Sequence, residues 1–186
     1  MKLVQIISEV CAPWCSNLVM FLALGFALDA NAAGIGAAFM TGIMPMIGLL
    51  WMKSWGKVTD HHVTKAAQRT KVFAMIAGFL ALLCLYLILV PTPRDIWVAF
   101  VAAVAFIVIY AFITKVVGIK LSVHVGLWVC VYGFLAVTIS PWWTVGLLAT
   151  PAVWWARVKL GHHTNKEAAV GLLVGLVLLG VASKSI

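Results

Sequence analysis

Charge is scarce in this chain. Of its 186 residues only 10% are Asp, Glu, Lys or Arg, whereas 65% are hydrophobic. Soluble domains carry roughly a quarter of their residues as charges. A separate water-soluble domain is therefore excluded, and residues 1–186 read as one membrane-embedded domain. Acidic residues are scarcest of all: five Asp and Glu stand against thirteen Lys and Arg, for a formal net charge of +8. The basic residues are spread over loops between apolar runs rather than gathered on one soluble face. That pattern excludes a nucleic-acid partner and predicts contacts with membrane lipids through anionic headgroups.

Other absences narrow the class further. The four cysteines (Cys11, Cys15, Cys84, Cys130) form no CxxC pair, so no disulfide framework is implied and they read as core thiols. No small-residue cleavage pattern follows Met1-Lys2-Leu3-Val4, and Glu9 interrupts the apolar region; this start is expected to be mature chain and not a signal peptide. Apart from the turn holding Asp29 and Asn31, the apolar runs carry almost no ionisable residues, which argues against a transporter. The H-E-x-x-H pattern of zinc proteases is missing as well.

What is present is a series of apolar runs. A span needs about 20 such residues. The runs predict an all-α, polytopic helical bundle of six to seven transmembrane helices, near residues 4–28, 35–55, 72–90, 96–117, 121–139, 142–156 and 167–183. The first is expected to enter the membrane near Pro13-Trp14, and Pro45 is expected as a tolerated kink in the second. Trp142, Trp143, Trp154 and Trp155 read as aromatic-belt anchors. Gly171 and Gly175 form a small-xxx-small face suited to helix packing.

This spacing brings three polar clusters to one side of the membrane. That side holds Lys53, Lys57, Lys65, Arg69, Lys71, Lys115, Lys120, Arg157, Lys159 and Lys166, while Arg94 and Lys184 lie opposite. By the positive-inside rule the rich side is cytoplasmic. All five histidines (His61, His62, His124, His162, His163) fall on it too.

The stretch Arg157–Glu167 is the densest in chemistry. His163 and Glu167 stand at i and i+4, on one face if they open a helix. A carboxylate there can hold one imidazole N–H and leave the other nitrogen free. Arg157 can hold the anion which that nitrogen attacks. The other clusters add Asp60, His61, His62, Lys65 and Arg69, and then Lys120-Leu121-Ser122-Val123-His124. Asp60 is expected to cap a short helix opening with His61-His62-Val63. Cations, a hydroxyl, helix N-termini and imidazoles together suit a phosphate oxyanion at headgroup level.

These clusters resemble the three signatures of the type 2 phosphatidic acid phosphatase superfamily. The third signature, S-R-x5-H-x3-D, stands here as Ala156-Arg157, His163 and Glu167, with Leu160-Gly161 between them and Gly171 after. The second, P-S-G-H, is Leu121-Ser122-Val123-His124. The first, K-x6-R-P, keeps Arg69 but has His62 for its Lys and Thr70 for its Pro. Thr59-Asp60-His61-His62 ending in Gln68-Arg69 is similar to a small bacterial branch, so a bacterial plasma membrane is the expected location.

The resemblance implies a metal-independent phosphomonoesterase that needs no cofactor. Its substrate would be a phospholipid or isoprenoid phosphate: phosphatidate, phosphatidylglycerophosphate or a polyprenyl phosphate. By position, His163 is the nucleophile that forms a phosphohistidine, Glu167 orients it, and His124 protonates the leaving alkoxide. Arg69, Arg157 and Ser122 grip the phosphate, and Lys65 or Lys120 replaces the charge that His62 lacks. Two other classes compete: a non-catalytic or transport protein with a histidine-rich anion site, and a metal-dependent hydrolase using Asp60, His61, His62, His162, His163 and Glu167.

Overall fold

The computed structural model describes residues 1–60, 63 and 66–186, with Ala66 described by its backbone alone. His61, His62, Thr64 and Lys65 lie outside the described residues, and with them the expected helix cap at Asp60 and the roles assigned to His62 and Lys65. Among the described residues the chain is all helix and turn, with no strand.

The helices are α1 (Lys2–Val10), α2 (Pro13–Ala27), α3 (Asn31–Ala38), α4 (Met44–Ser54), α5 (Ala66–Leu89), α6 (Arg94–Phe112), α7 (Val123–Thr138), α8 (Thr150–Lys159) and α9 (Asn165–Ser183). Four described helices are long and apolar enough to cross a membrane: Asn31–Ser54, Ala67–Leu89, Arg94–Val117 and Asn165–Ser183. The expected first span is instead a pair, α1 and α2, bent by 41°. Pro13 causes the break: it stands in the first turn of α2, where the missing N–H costs nothing, and Ala12 before it is extended. The expected fifth span is the shorter α7. The expected sixth is a 3-10 helix, Pro141–Ala149, running into α8.

The span Asn31–Ser54 shows how a proline is accommodated. Pro45 has no N–H for the carbonyl of Thr41 four residues back. Asn17 of α2 supplies the missing donor, with Nδ2 giving to that carbonyl at 3.0 Å. A π-helical turn, Phe39–Ile43, absorbs the crowding. One side-chain amide therefore ties α2 to this span while keeping its backbone satisfied in an apolar setting.

α7 crosses α9 at close range. Gly126, Gly171 and Gly175 form the crossing. A Cβ on Gly171 would lie 2.6 Å from the Ser122 carbonyl oxygen, and one on Gly126 would lie 2.5 Å from the Gly171 carbonyl oxygen. Tyr110 of α6, fully buried, stacks on Phe106 at 4.1 Å between centroids. Its hydroxyl faces the carbonyls of Ser122 (3.3 Å) and Gly171 (3.2 Å). The start of α7 is thereby held against α9. The small-residue face expected at Gly171 and Gly175 is the surface that meets Gly126.

This crossing yields a prediction. Gly171→Val should cost about 1–3 kcal/mol or more through overpacking against backbone, read as a lowered melting temperature in detergent. Gly180→Ala, on the same helix but with open space around it, should leave melting unchanged or slightly raised.

Candidate active site

The charged ends of four helices meet at one end of the bundle. Arg69 lies in the first turns of α5 and is 5% exposed. Its Nε donates to the Val63 carbonyl (3.2 Å) and its Nη1 to the Leu121 carbonyl (3.0 Å). It thus pins both the loop before α5 and the loop before α7. Val63 takes a left-handed φ of 49°, strained for a β-branched residue. The Arg69 bond helps hold it there.

Arg157 stands in the last turn of α8 and is 1% exposed. The helix stops because Gly161 adopts a φ of 69°, and its N–H returns to the Val158 carbonyl at 2.9 Å. The reversal brings the N–H groups of His162 and His163 onto the Arg157 carbonyl, at 3.1 and 3.3 Å. Thr164 then caps α9 in a capping box: its hydroxyl accepts from the Glu167 N–H, while Glu167 Oε2 accepts from the Thr164 N–H at 2.9 Å. A left-handed glycine and a capping box together fix His163 beside Arg157.

His163 therefore precedes α9 instead of opening it, and its Nδ1 takes a different first partner from the one expected. The Lys120 carbonyl oxygen is 3.0 Å away, against 3.5 Å for Glu167 Oε2, which is engaged in the cap. A carbonyl can only accept, so Nδ1 carries the proton and Nε2 keeps its lone pair. The tautomer is the one a nucleophile needs. Burial first, then the positive charges of Arg157, Arg69 and Lys120, push the His163 pKa well below that of an ordinary imidazole. The ring is neutral at pH 7.

Arg69, His124, Arg157 and His163 line one cavity of about 150 Å³. The rest of its wall is mainly apolar and includes Met40, Leu49, Val72, Phe73, Ile76 and Phe106. A single chamber therefore has a cationic, imidazole-bearing end and a hydrocarbon body. The other expected residues stand behind this wall. Ser122 is fully buried, does not line the chamber, and has no partner for its hydroxyl among the described residues. Its backbone N–H donates to the Glu167 carbonyl at 3.2 Å, linking the loop before α7 to α9. Lys120 contributes its carbonyl and its charge; Glu167 contributes the cap and a nearby carboxylate. Among the described residues no three His, Cys, Asp or Glu side chains come together as a metal site.

Two residues of this region carry no motif. Tyr110 locks the loop before α7 to α9, and its only sequence signal is a polar tip within an apolar run. Ser8 of α1 accepts from Arg157 Nη1 at 2.6 Å across 149 positions of chain; nothing in the sequence announces that contact.

The tautomer and charge of His163 are open to titration. By ¹⁵N NMR of histidine-labelled protein, its Nε2 should remain unprotonated through pH 6.5, where a free imidazole is half charged, and Arg157→Gln should raise its pKa. Because this group binds a proton less readily folded than unfolded, it subtracts stability as pH falls below about 6.5 towards the folded value. A His163 signal titrating near 6.5 would contradict the burial described. Compared with family models, with curated proteins and with solved structures, this chain matches none.

Proposed function

We propose that this protein is a membrane lipid-phosphate phosphatase related to the type 2 phosphatidic acid phosphatases, hydrolysing a phosphate monoester through a phosphohistidine. One observation carries the reading: Arg69, Arg157, His124 and His163 line one cavity whose remaining wall is mainly apolar. Such a chamber is complementary to an amphipathic ester, with its phosphate among the cations and its chain among the aliphatic and aromatic side chains.

The reaction follows from the groups at the charged end. The guanidiniums of Arg69 and Arg157 neutralise the phosphate and hold it for attack. The Nε2 lone pair of His163 forms the P–N bond as the P–O bond to the lipid alcohol breaks. His124 gives a proton to the departing alkoxide. Water then attacks phosphorus, His124 takes its proton, and the P–N bond breaks to release inorganic phosphate and neutral His163. The Lys120 carbonyl and the Glu167 carboxylate stabilise the imidazolium character that develops on the Nδ1 side. Phosphatidate, phosphatidylglycerophosphate and polyprenyl phosphates all fit this chemistry, which calls on no cofactor.

The proposal includes a topology of seven passes, with the active end at the cytoplasmic face of a bacterial plasma membrane. Site or cavity residues stand at the starts of α2, α5 and α7, in the second half of the span Asn31–Ser54 and of α6, at the end of α8 and just before α9. That alternation is what a bundle returning to one face requires. The 3-10 helix and α8 together rise about 33 Å, enough for a hydrocarbon core of about 30 Å. The excess of Lys and Arg near this end supports the cytoplasmic assignment.

Purified protein is expected to release phosphate from at least one lipid phosphate, to resist EDTA and to be inhibited by vanadate. His163→Ala should lower kcat by about 10³-fold or more and His124→Ala by about 10²–10⁴-fold. Wild-type turnover in His163→Ala would sink the mechanism. Arg157→Lys should lose about tenfold or more in kcat/KM, because an ammonium cannot reproduce the planar fork.

A further inference from the structure

A second, smaller void adjoins the chamber, and the wall between the two has no role in the mechanism above. The void measures about 10 Å³ and is lined by hydrophobic side chains alone. It is at the lower limit for one water and offers that water no polar partner, so it is dry. Ala103, Phe106 and Leu127 line both spaces and therefore stand between them. Phe106 and Leu127 are buried, and Ala103 is half-buried.

Three helices repeat one order. On α7, which runs away from the charged end, His124 lines the chamber, Leu127 lines both spaces, and Val131 lines the void alone. On α6, which runs towards that end, Ile107 lines the chamber, Phe106 and Ala103 line both, and Ala99 lines the void alone. On α2, Asn17 lines the chamber and Met20 the void. The void therefore lies beyond the wall as seen from the imidazoles and guanidiniums. Size adds a second constraint. A cavity of about 150 Å³ is filled by one hydrocarbon the size of benzene. The chamber, at about 150 Å³, has room beside a phosphate for one chain and not for two.

We propose that the chamber is a slot for a single hydrocarbon chain, and that Phe106 and Leu127 are the specificity-determining residues that set how much of that chain it accepts. This rests on the reading of the cavity as a phosphate-ester site. The ligand class is a phosphate monoester in which one chain follows the phosphate into the slot; any second chain stays outside. The buried carbons gain the usual free energy of leaving water until the chain meets the wall, and carbons beyond that point gain nothing from the slot. The void behind the wall is slack that a smaller residue at 106 or 127 would join to the slot.

The probes are straight-chain alkylphosphonates from methyl to decyl, whose P–C bond resists hydrolysis. The full chain is held in phosphatidylcholine nanodiscs, affinity is read by calorimetry against empty discs, and folding by melting temperature. Wild-type affinity should rise about fourfold per added methylene and then level off at a limiting length. Leu127→Ala, which opens the wall, should move that limit to a longer chain. Ala103→Leu, which fills the slot, should move it to a shorter one, and Ala103→Val does so with less crowding if the leucine variant fails to fold. Leu173→Ala, on the exposed face of α9, should keep the wild-type limit. A wild-type affinity that climbs without levelling through decyl overturns the proposal, as does an unmoved limit in both Leu127→Ala and the folded Ala103 variant. If the limit moves as expected and no lipid phosphate is hydrolysed, the slot stands and the phosphatase reading falls. If lipid phosphate is hydrolysed and the limit does not move, the slot alone falls. If wild type binds no alkylphosphonate and hydrolyses no lipid phosphate, both fall.

Discussion

Two guanidinium charges are buried at one end of this bundle, and much else in the structure answers to them. Arg69 and Arg157 are 5% and 1% exposed, and their hydrogen-bond partners among the described residues are carbonyls and a serine hydroxyl, not carboxylates. A buried cation of this kind is costly unless a counter-charge arrives or dipoles are arranged around it. The protein uses carbonyls of loop residues, Val63 and Leu121, as those dipoles. The loops are thereby held in place, and the remaining positive potential points into the cavity. With burial, which acts first, it also explains the neutral state of His163, since two fixed cations and Lys120 oppose a fourth charge.

The glycine crossing of α7 and α9 is what lets distant segments share that cavity. His124 lies at the start of α7 and His163 just before α9, 39 positions apart by number. They line one chamber because Gly126, Gly171 and Gly175 let two backbones approach closer than any side chain would permit. Tyr110 then bonds across the seam, and Ser122 N–H reaches the Glu167 carbonyl. Packing and site geometry are one arrangement here. A change that widened the seam would move His124 from His163 without touching either.

Helix ends do the fine positioning. Gly161 reverses the chain after Arg157, and the Thr164–Glu167 capping box restarts it. Between them His163 has little freedom, and its Nδ1 falls beside the Lys120 carbonyl. Glu167 is occupied by the cap, so its link to the imidazole is longer than the carbonyl contact. A carboxylate with one more methylene than Asp reaches back to the Thr164 N–H and still stands 3.5 Å from the ring.

Much was legible in the amino acids alone. Scarce charge and long apolar runs required membrane helices, because only self-satisfied backbones persist in lipid. The same-side grouping of Arg69, His124, Arg157 and His163 followed from counting runs between them, and Gly171 with Gly175 announced a close helix contact. Span form was less legible: local hydropathy does not distinguish a 3-10 segment followed by a short α8 from one straight helix, nor show that Pro13 breaks α1 from α2. Three features were decided by tertiary structure alone. The Lys120 carbonyl is the nearer partner of His163 because helix ends, not spacing, set that ring. Tyr110 bridges a seam that exists only once α6, α7 and α9 are packed. Ser8 meets Arg157 across almost the whole chain, a contact no periodicity encodes, since a hydroxyl on one helix carries no mark of the charge that folding brings beside it.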